Sequence, residues 1–328
     1  MSAMHSSAVS YDSTAVRPGW DSLPAGVRDA VAARLSGGPL TSGPPAGGGF
    51  TRGFAGVVAG AAGTKFIKAS NQEIISRSYR REALINPRLP AGIPVPRLDW
   101  SLELDGWVVL AFDAVPGARM PAQPWRREEL DATLRAWDEV ASALASPPQA
   151  LLDVGLLTAE ADAGAAFSAW RHEAAGSLRM KLPRWLPRDL VVPLAWLEDA
   201  WPAATAGTAV AHADLRQDNV VLDSAGQPWF CDWNWPCLAA SWFDLATLLV
   251  TASGDGYDAS ALFAAQPSAR DAAPEQLDAL LAAISGYWLA ASAESPVPSA
   301  SPMLRQHQRW SGETALRWLA RRRGWRLP

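Results

Sequence analysis

The chain has 328 residues, 49% of them hydrophobic and 19% charged, with a net charge of −4. That length supports one large domain or two moderate ones, and the charge gives no bias toward nucleic acid or an anionic membrane surface. The two cysteines, Cys231 and Cys237, are too few for a disulfide framework and lack metal-site spacing, so a reduced, cytoplasmic setting is expected.

In chain order, the opening "MSAMHSSAVSYDSTAVRPGW" has neither a basic start nor an apolar core and does not read as a secretory signal. Its small and polar residues predict a poorly ordered tail over residues 1–17. A short helix is expected over 22–35. Gly and Pro clusters then break the chain into turns, with Phe50, Phe54, Val57-Val58 and residues 65–68 reading as short strands of an antiparallel meander. Residues 71–84 look helical until Pro87 and Pro90, and "GWVVLAFDAVPG" (106–117) starts as a buried strand and finishes in a turn. No apolar run approaches the ~18 residues of a membrane span.

Beyond Pro124 the pattern becomes helical. Leu130, Leu134, Trp137, Val140, Ala141 and Leu144 recur at steps of mostly three and four, as do Leu190, Leu194, Leu197 and Trp201. Short strands follow at 220–222 and 229–231, then helices near 241–251, 274–291 and 302–322. The expectation is an α+β, two-lobed chain: a β-rich lobe over 18–112, a hinge over 113–117 and a helical lobe over 118–328. Two lobes imply a cleft, and clefts are where ligands bind. Most of the seventeen Trp should sit in cores or line that cleft.

One stretch does not fit a structural role. "AHADLRQDNVVLD" (211–223) sets a histidine, three aspartates, an arginine and an asparagine between apolar runs. Burying polar groups is costly unless they are paired or used. A charged turn would explain the carboxylates, but not their spacing. His212-Ala213-Asp214-Leu215 with Asn219 resembles the catalytic loop of the aminoglycoside phosphotransferase and choline kinase group, within the protein-kinase-like fold. Ala213 departs from the Gly usual there. Asp232, thirteen residues after Asn219, resembles the metal-binding Asp of kinases, although the triplet here is Asp232-Trp233-Asn234. Asp244-Leu245-Ala246 resembles a downstream element of the same group.

The resemblance implies an ATP-dependent small-molecule kinase, with GTP as a further candidate donor. Phosphoryl transfer is mostly positioning and charge stabilisation. Asn219 and Asp232 offer the hard oxygens that Mg²⁺ prefers. Asp214 would orient the acceptor hydroxyl and take its proton, with Arg216 facing the transferred phosphate. His212 could be a base on its chemistry alone; the resemblance makes it a structural residue, as it does Asp244. Asp218 is either a plain loop residue or one that supports the site residues from behind.

In the first lobe, "GGGFTRGFAG" (47–56) resembles the nucleotide-binding turn, with Gly49, Phe50 and Thr51 nearest the phosphates. Lys68 resembles the kinase strand lysine. Glu82, sharing a helical face with Ile75 and Tyr79, is its expected partner; Glu73 lies in the first helical turn, where an acid is favoured anyway. Main-chain groups near Phe112 and Ala114 would bind adenine.

The acceptor is expected to be a small hydroxylated molecule: an aminoglycoside, another antibiotic or a metabolite, with no nucleic-acid or membrane partner. Residues 301–328 carry seven Arg and one Glu, so a site for a polycation is not required. A protein kinase is the weaker alternative, because no A-P-E follows Asp232 at the usual distance. A non-catalytic nucleotide-binding module is disfavoured by the set Lys68, Asp214, Asn219 and Asp232.

Overall fold

Alternation along the strands decides the architecture of the N-terminal part. In a computed structural model, which describes residues 9–35 and 38–327, helix α1 (Ala25–Arg34) precedes β1 (Thr41–Pro45), β2 (Phe54–Gly60) and β3 (Gly63–Ser70). Helix α2 (Glu73–Ile85), β4 (Leu98–Leu104) and β5 (Trp107–Asp113) follow. The strands form one antiparallel sheet in the order β1-β2-β3-β5-β4. Successive side chains point to opposite faces. Val109 and Ala111 of β5 therefore pack with Ile67, Ala69 and the α1 residues Val27 and Val31. Val108, Leu110 and Phe112 pack with Ile75 and Tyr79 of α2. Lys68 pairs in register with Leu110, so it lies on the α2 face.

The remainder is mostly helical. It contains α3 (Arg127–Ala145), α4 (Gln149–Leu152), α5 (Ala159–Ala163), α6 (Ala169–Ala174) and α7 (Val191–Ala204), then α8 (Phe243–Gly254), α9 (Ala259–Ala264), α10 (Pro274–Ser292) and α11 (Leu304–Arg322). Two small ribbons interrupt the helices: β6 (Ala209–Ala211) pairs with β9 (Cys237–Ala239), and β7 (Val220–Leu222) with β8 (Pro228–Phe230). The loop with Asp214 joins β6 to β7, and the turn with Asp232 joins β8 to β9, so the ribbons bring both motifs together. Nine Trp are buried, Trp137, Trp170, Trp201, Trp233 and Trp318 fully. The α11 arginines mostly coat their helix: Arg305 pairs with Glu294, Arg309 with Glu313, Arg322 with Asp278, and Arg317 lies over the Trp185 ring.

Three features differ from expectation. Strand β1 runs through "TSGPP", whose prolines a sheet tolerates only at its edge, where β1 lies. Phe50 belongs to the loop between β1 and β2 rather than to a strand. The expected loose tail of residues 1–17 is packed from Val9 onward, with Val9, Tyr11 and Thr14 at 1–2% exposure, because apolar side chains among its polar residues find partners far along the chain. Residues 1–8 lie outside the described set.

Candidate active site

The loop after β6 is held from two sides. The Asp244 carboxylate, in the first turn of α8, accepts from the His212 and Ala213 amides at 2.7 and 2.8 Å. His212 is fully buried; its Nε2 lies 2.8 Å from the Cys231 carbonyl and therefore donates, leaving Nδ1 to accept from the Asp214 amide at 3.3 Å. Burial holds the imidazole below its ordinary pKa, so it stays neutral and ties the Asp214 loop to the Asp232 turn. Ala213 has φ 63° and Asp232 φ 65°, both in the left-handed region that disfavours side chains. Such strain collects at functional sites.

Asp214 is one-third exposed, and burial is the main reason its pKa is pushed up to about 6, against the pull of Arg216. Arg216 contacts Asp214 through one guanidinium nitrogen and reaches Asp218 with two more, at 3.0 and 3.1 Å. The Asp218 side chain is fully buried, so it serves as a fixed anchor for Arg216. Asn219 spends its amide nitrogen on the Asp214 carbonyl at 2.7 Å and carboxylate at 3.3 Å, which leaves its amide oxygen available.

Across the cleft, Lys68 Nζ lies 2.9 and 2.8 Å from the two Glu82 oxygens and also contacts Asp232. Burial works against the ammonium, but Asp232 and Glu82 hold its pKa above the ordinary lysine value. Glu82, at 2% exposure, is pushed up to about 7 by burial in spite of Lys68. Asp232 is lowered: its burial is outweighed by Lys68, with smaller help from Arg17. Glu73 points to solvent, 84% exposed, 3.8 Å from Arg80.

Asp232 and Asn219 are hard oxygen donors, and among the described residues no cluster of three or more His, Cys, Asp or Glu could hold a metal. Two protein donors, with phosphate oxygens and water completing the shell, suit Mg²⁺, which keeps several waters and takes few protein ligands.

Phe112 and Ala114 both line the cleft, at the end of β5 and just beyond it. Phe112 is paired in register with both Phe66 and Leu98, so its main chain belongs to the sheet, while its ring lies 5.2 Å from Lys68 Nζ. Ala114 follows the end of β5 and lines the cleft. Gly49, Phe50 and Thr51 line it as well, and they also reach the C-terminal part: the Phe50 carbonyl accepts from Ser301, and Thr51 bridges to Ala300. Phe50 stacks on His307, ring centroids 4.7 Å apart. His307 and Tyr11 were not singled out from sequence. Tyr11 Oη and His307 Nδ1 are 3.4 Å apart, and burial drives His307 down to about 3. Lys68, Glu82, Asp214, Arg216, Asn219, Asp232, Phe50 and His307 share one cleft of about 1180 Å³.

The sequence model of the phosphotransferase enzyme family (APH) matches residues 69–293. The chain belongs to this family. A putative aminoglycoside phosphotransferase from Ralstonia eutropha is 15% identical, with 90% of this chain and 98% of that chain covered and a TM-score of 0.55. The GDP and kanamycin complex of APH(2")-IIIa is 15% identical over 91% and 98% of the two chains, TM-score 0.59. A thermostable mutant of APH(4)-Ia, in complex with AMP-PNP and hygromycin B, is 14% identical over 90% and 98%, TM-score 0.60. At these identities the likeness establishes the fold: this phosphotransferase has the two-lobed, protein-kinase-like architecture, with a β-rich first part and a helical second part. No curated protein sequence gives a match. Among the described residues no helix is long and apolar enough to cross a membrane.

Proposed function

We propose that this phosphotransferase moves the γ-phosphate of Mg²⁺–ATP to a hydroxyl of a small molecule in the cytoplasm. The observation that carries the reading is the convergence of two ion clusters on one cleft: Lys68 with Glu82 and Asp232, and Arg216 with Asp214 and Asp218. Each cation already has a carboxylate on its far side, so it can turn toward phosphate oxygens without losing every partner.

The residues divide the work. Lys68, oriented by Glu82, binds nucleotide phosphates. Asp232 and Asn219 would hold Mg²⁺, whose charge offsets that of the phosphates. Asp214 accepts the proton of the acceptor hydroxyl; its raised pKa near 6 keeps it ionised yet basic at neutral pH. Arg216, braced by Asp218, meets the charge that develops on the transferred group. The main chain near Ala114 holds the base of the nucleotide. Phe167, Ile284, Tyr287 and Trp288 give the cleft an apolar and aromatic wall, where a hydroxylated acceptor can lay its carbon skeleton.

The test is acceptor-dependent ADP release, run with ATP and with GTP against hydroxylated metabolites and antibiotics. Kanamycin and hygromycin B belong in the panel, since structural neighbours were crystallised with them. Turnover that needs Mg²⁺ and disappears in Asp214→Asn supports the reading. Failure to bind either nucleotide, or turnover indifferent to that substitution, would end it.

A further inference from the structure

The glycines of the phosphate loop are explained by the segment lying against them. A Cβ on Gly47 would stand 2.0 Å from the Asp12 carbonyl oxygen, and one on Gly48 would stand 2.8 Å from the Met120 sulfur and 3.3 Å from the Tyr11 carbonyl oxygen. Gly49 has φ 90°, and its Cβ would meet Arg17 Nη2 at 2.8 Å. The N-terminal segment thus passes over the loop at distances only glycine permits.

Arg17 is the center of that contact. Its guanidinium donates to the carbonyls of Ala46 at 3.2 Å, Gly48 at 2.9 Å and Gly53 at 3.0 Å, joining both ends of the loop to its middle. The Ala15 amide takes the Gly47 carbonyl at 2.8 Å. In a trans peptide the C=O and the following N–H point in opposite directions. With the carbonyls of Ala46, Gly47 and Gly48 drawn to the segment, the amides of Gly47, Gly48 and Gly49 are turned the other way. Among the described residues those three amides donate no hydrogen bond.

The segment is itself fastened. Gln123 accepts from the Tyr11 amide at 2.9 Å and donates to the Val9 carbonyl at 2.7 Å, and the Ser301 hydroxyl donates to the Thr14 carbonyl. Val9, Tyr11 and Phe50 pack with Met120, Met303 and Leu304. Arg17 also lines the cleft with Lys68 and Asp232.

We propose that Arg17 is a positioning residue of the nucleotide site, holding the glycine loop in one conformation from its cleft side, beside Lys68 and Asp232. This rests on the nucleotide reading above and extends it to a segment outside the family match, which begins at residue 69. A glycine loop is otherwise free to sample many conformations, and Arg17 removes that freedom before the ligand arrives.

The test uses the full chain with Arg17→Ala and Arg17→Lys. Hydrogen exchange without nucleotide should be faster by about tenfold or more in Arg17→Ala at the Ala46 and Arg52 amides, which are bonded to the Ala55 and Ser299 carbonyls, because the three charge-assisted bonds that hold the loop between them are lost. Binding of Mg²⁺ with a fluorescent methylanthraniloyl-ADP should weaken by about tenfold or more, with Arg17→Lys recovering part of both effects, since lysine keeps the charge but not the planar fork. Exchange that stays at the wild-type rate overturns the proposal. Faster exchange with unchanged affinity would leave Arg17 a structural brace and overturn its nucleotide role. If the wild type bound no nucleotide, the functional reading would fall, while the exchange measurement would still decide whether Arg17 holds the loop.

Discussion

The Asp244 carboxylate accepts a 2.8 Å bond from the amide of Ala213, the residue at which the loop after β6 takes a left-handed backbone. The same carboxylate holds the His212 amide and is 2% exposed, so burial pushes its pKa up to about 6. Asp244→Asn offers one oxygen for two amide protons and turns its own NH₂ toward the other. The expected loss is ~1.5–3 kcal/mol, the range for a hydrogen bond to a charged group. Urea unfolding should show a lower midpoint at unchanged slope. A loss below ~0.5 kcal/mol, the scatter of ordinary surface changes, would show that Asp244 does not hold the loop.

Ala213→Gly tests the strain directly. A left-handed conformation costs an L-residue ~1–2 kcal/mol, from which the greater flexibility of an unfolded glycine subtracts ~0.5–1 kcal/mol. A net gain of about 0.5 kcal/mol, with turnover retained, is expected from thermal unfolding and kinetics together. Destabilisation would mean that the Ala213 methyl packs usefully.

The parts of the site legible in sequence were those encoded locally. His212, Asp214, Asn219 and Asp232 fall within one short stretch, because two tight ribbons present both turns. Glu82 was legible because Ile75, Tyr79 and Glu82 repeat at helical spacing, and all three are among the buried residues of α2. Arg17, Tyr11 and His307 reach the cleft by contacts between segments far apart in the chain, which leave no period behind. Strand β4 alternates, but its inward residues are only half-buried, so it lacks the apolar run that marked β5. The loop glycines were legible as a feature but not in cause, since the segment packed against them looked too polar to be ordered.

Glu82 and Glu73 can be told apart by their effect on Lys68. Glu82 is buried on the ammonium, whereas Glu73 faces solvent. Removing one partner of a buried pair costs ~3–5 kcal/mol in general. Asp232 remains beside Lys68 and softens that loss, so Glu82→Ala should lower kcat/KM for ATP by about 100-fold, or ~2.7 kcal/mol. Glu73→Ala should cost no more than a few tenths of a kcal/mol of helix stability. Kinetics at varied ATP on both variants would decide the matter. The opposite ranking would remove Glu82 from the site.

Asp214 gives the last prediction its sign. Burial raises its pKa to about 6, Arg216 draws it down, and the negative charges of Asp218 and Asp232 raise it again. A general base works only when deprotonated, so kcat/KM should be level above pH ~6 and fall about tenfold per pH unit below it. Loss of the Arg216 contact would move the midpoint upward, since the cation favours the carboxylate. Arg216→Gln should therefore shift the acid limb to higher pH as well as lower the rate. Asp214→Asn should abolish the limb and reduce phosphoryl transfer by about two orders of magnitude or more, while Mg²⁺–ATP still binds. The measurement is a pH–rate profile of all three proteins at one saturating acceptor, beside calorimetric titration with Mg²⁺–ATP. A wild-type profile flat to pH 5, or an Asn variant turning over near the wild-type rate, would take the base assignment away from Asp214.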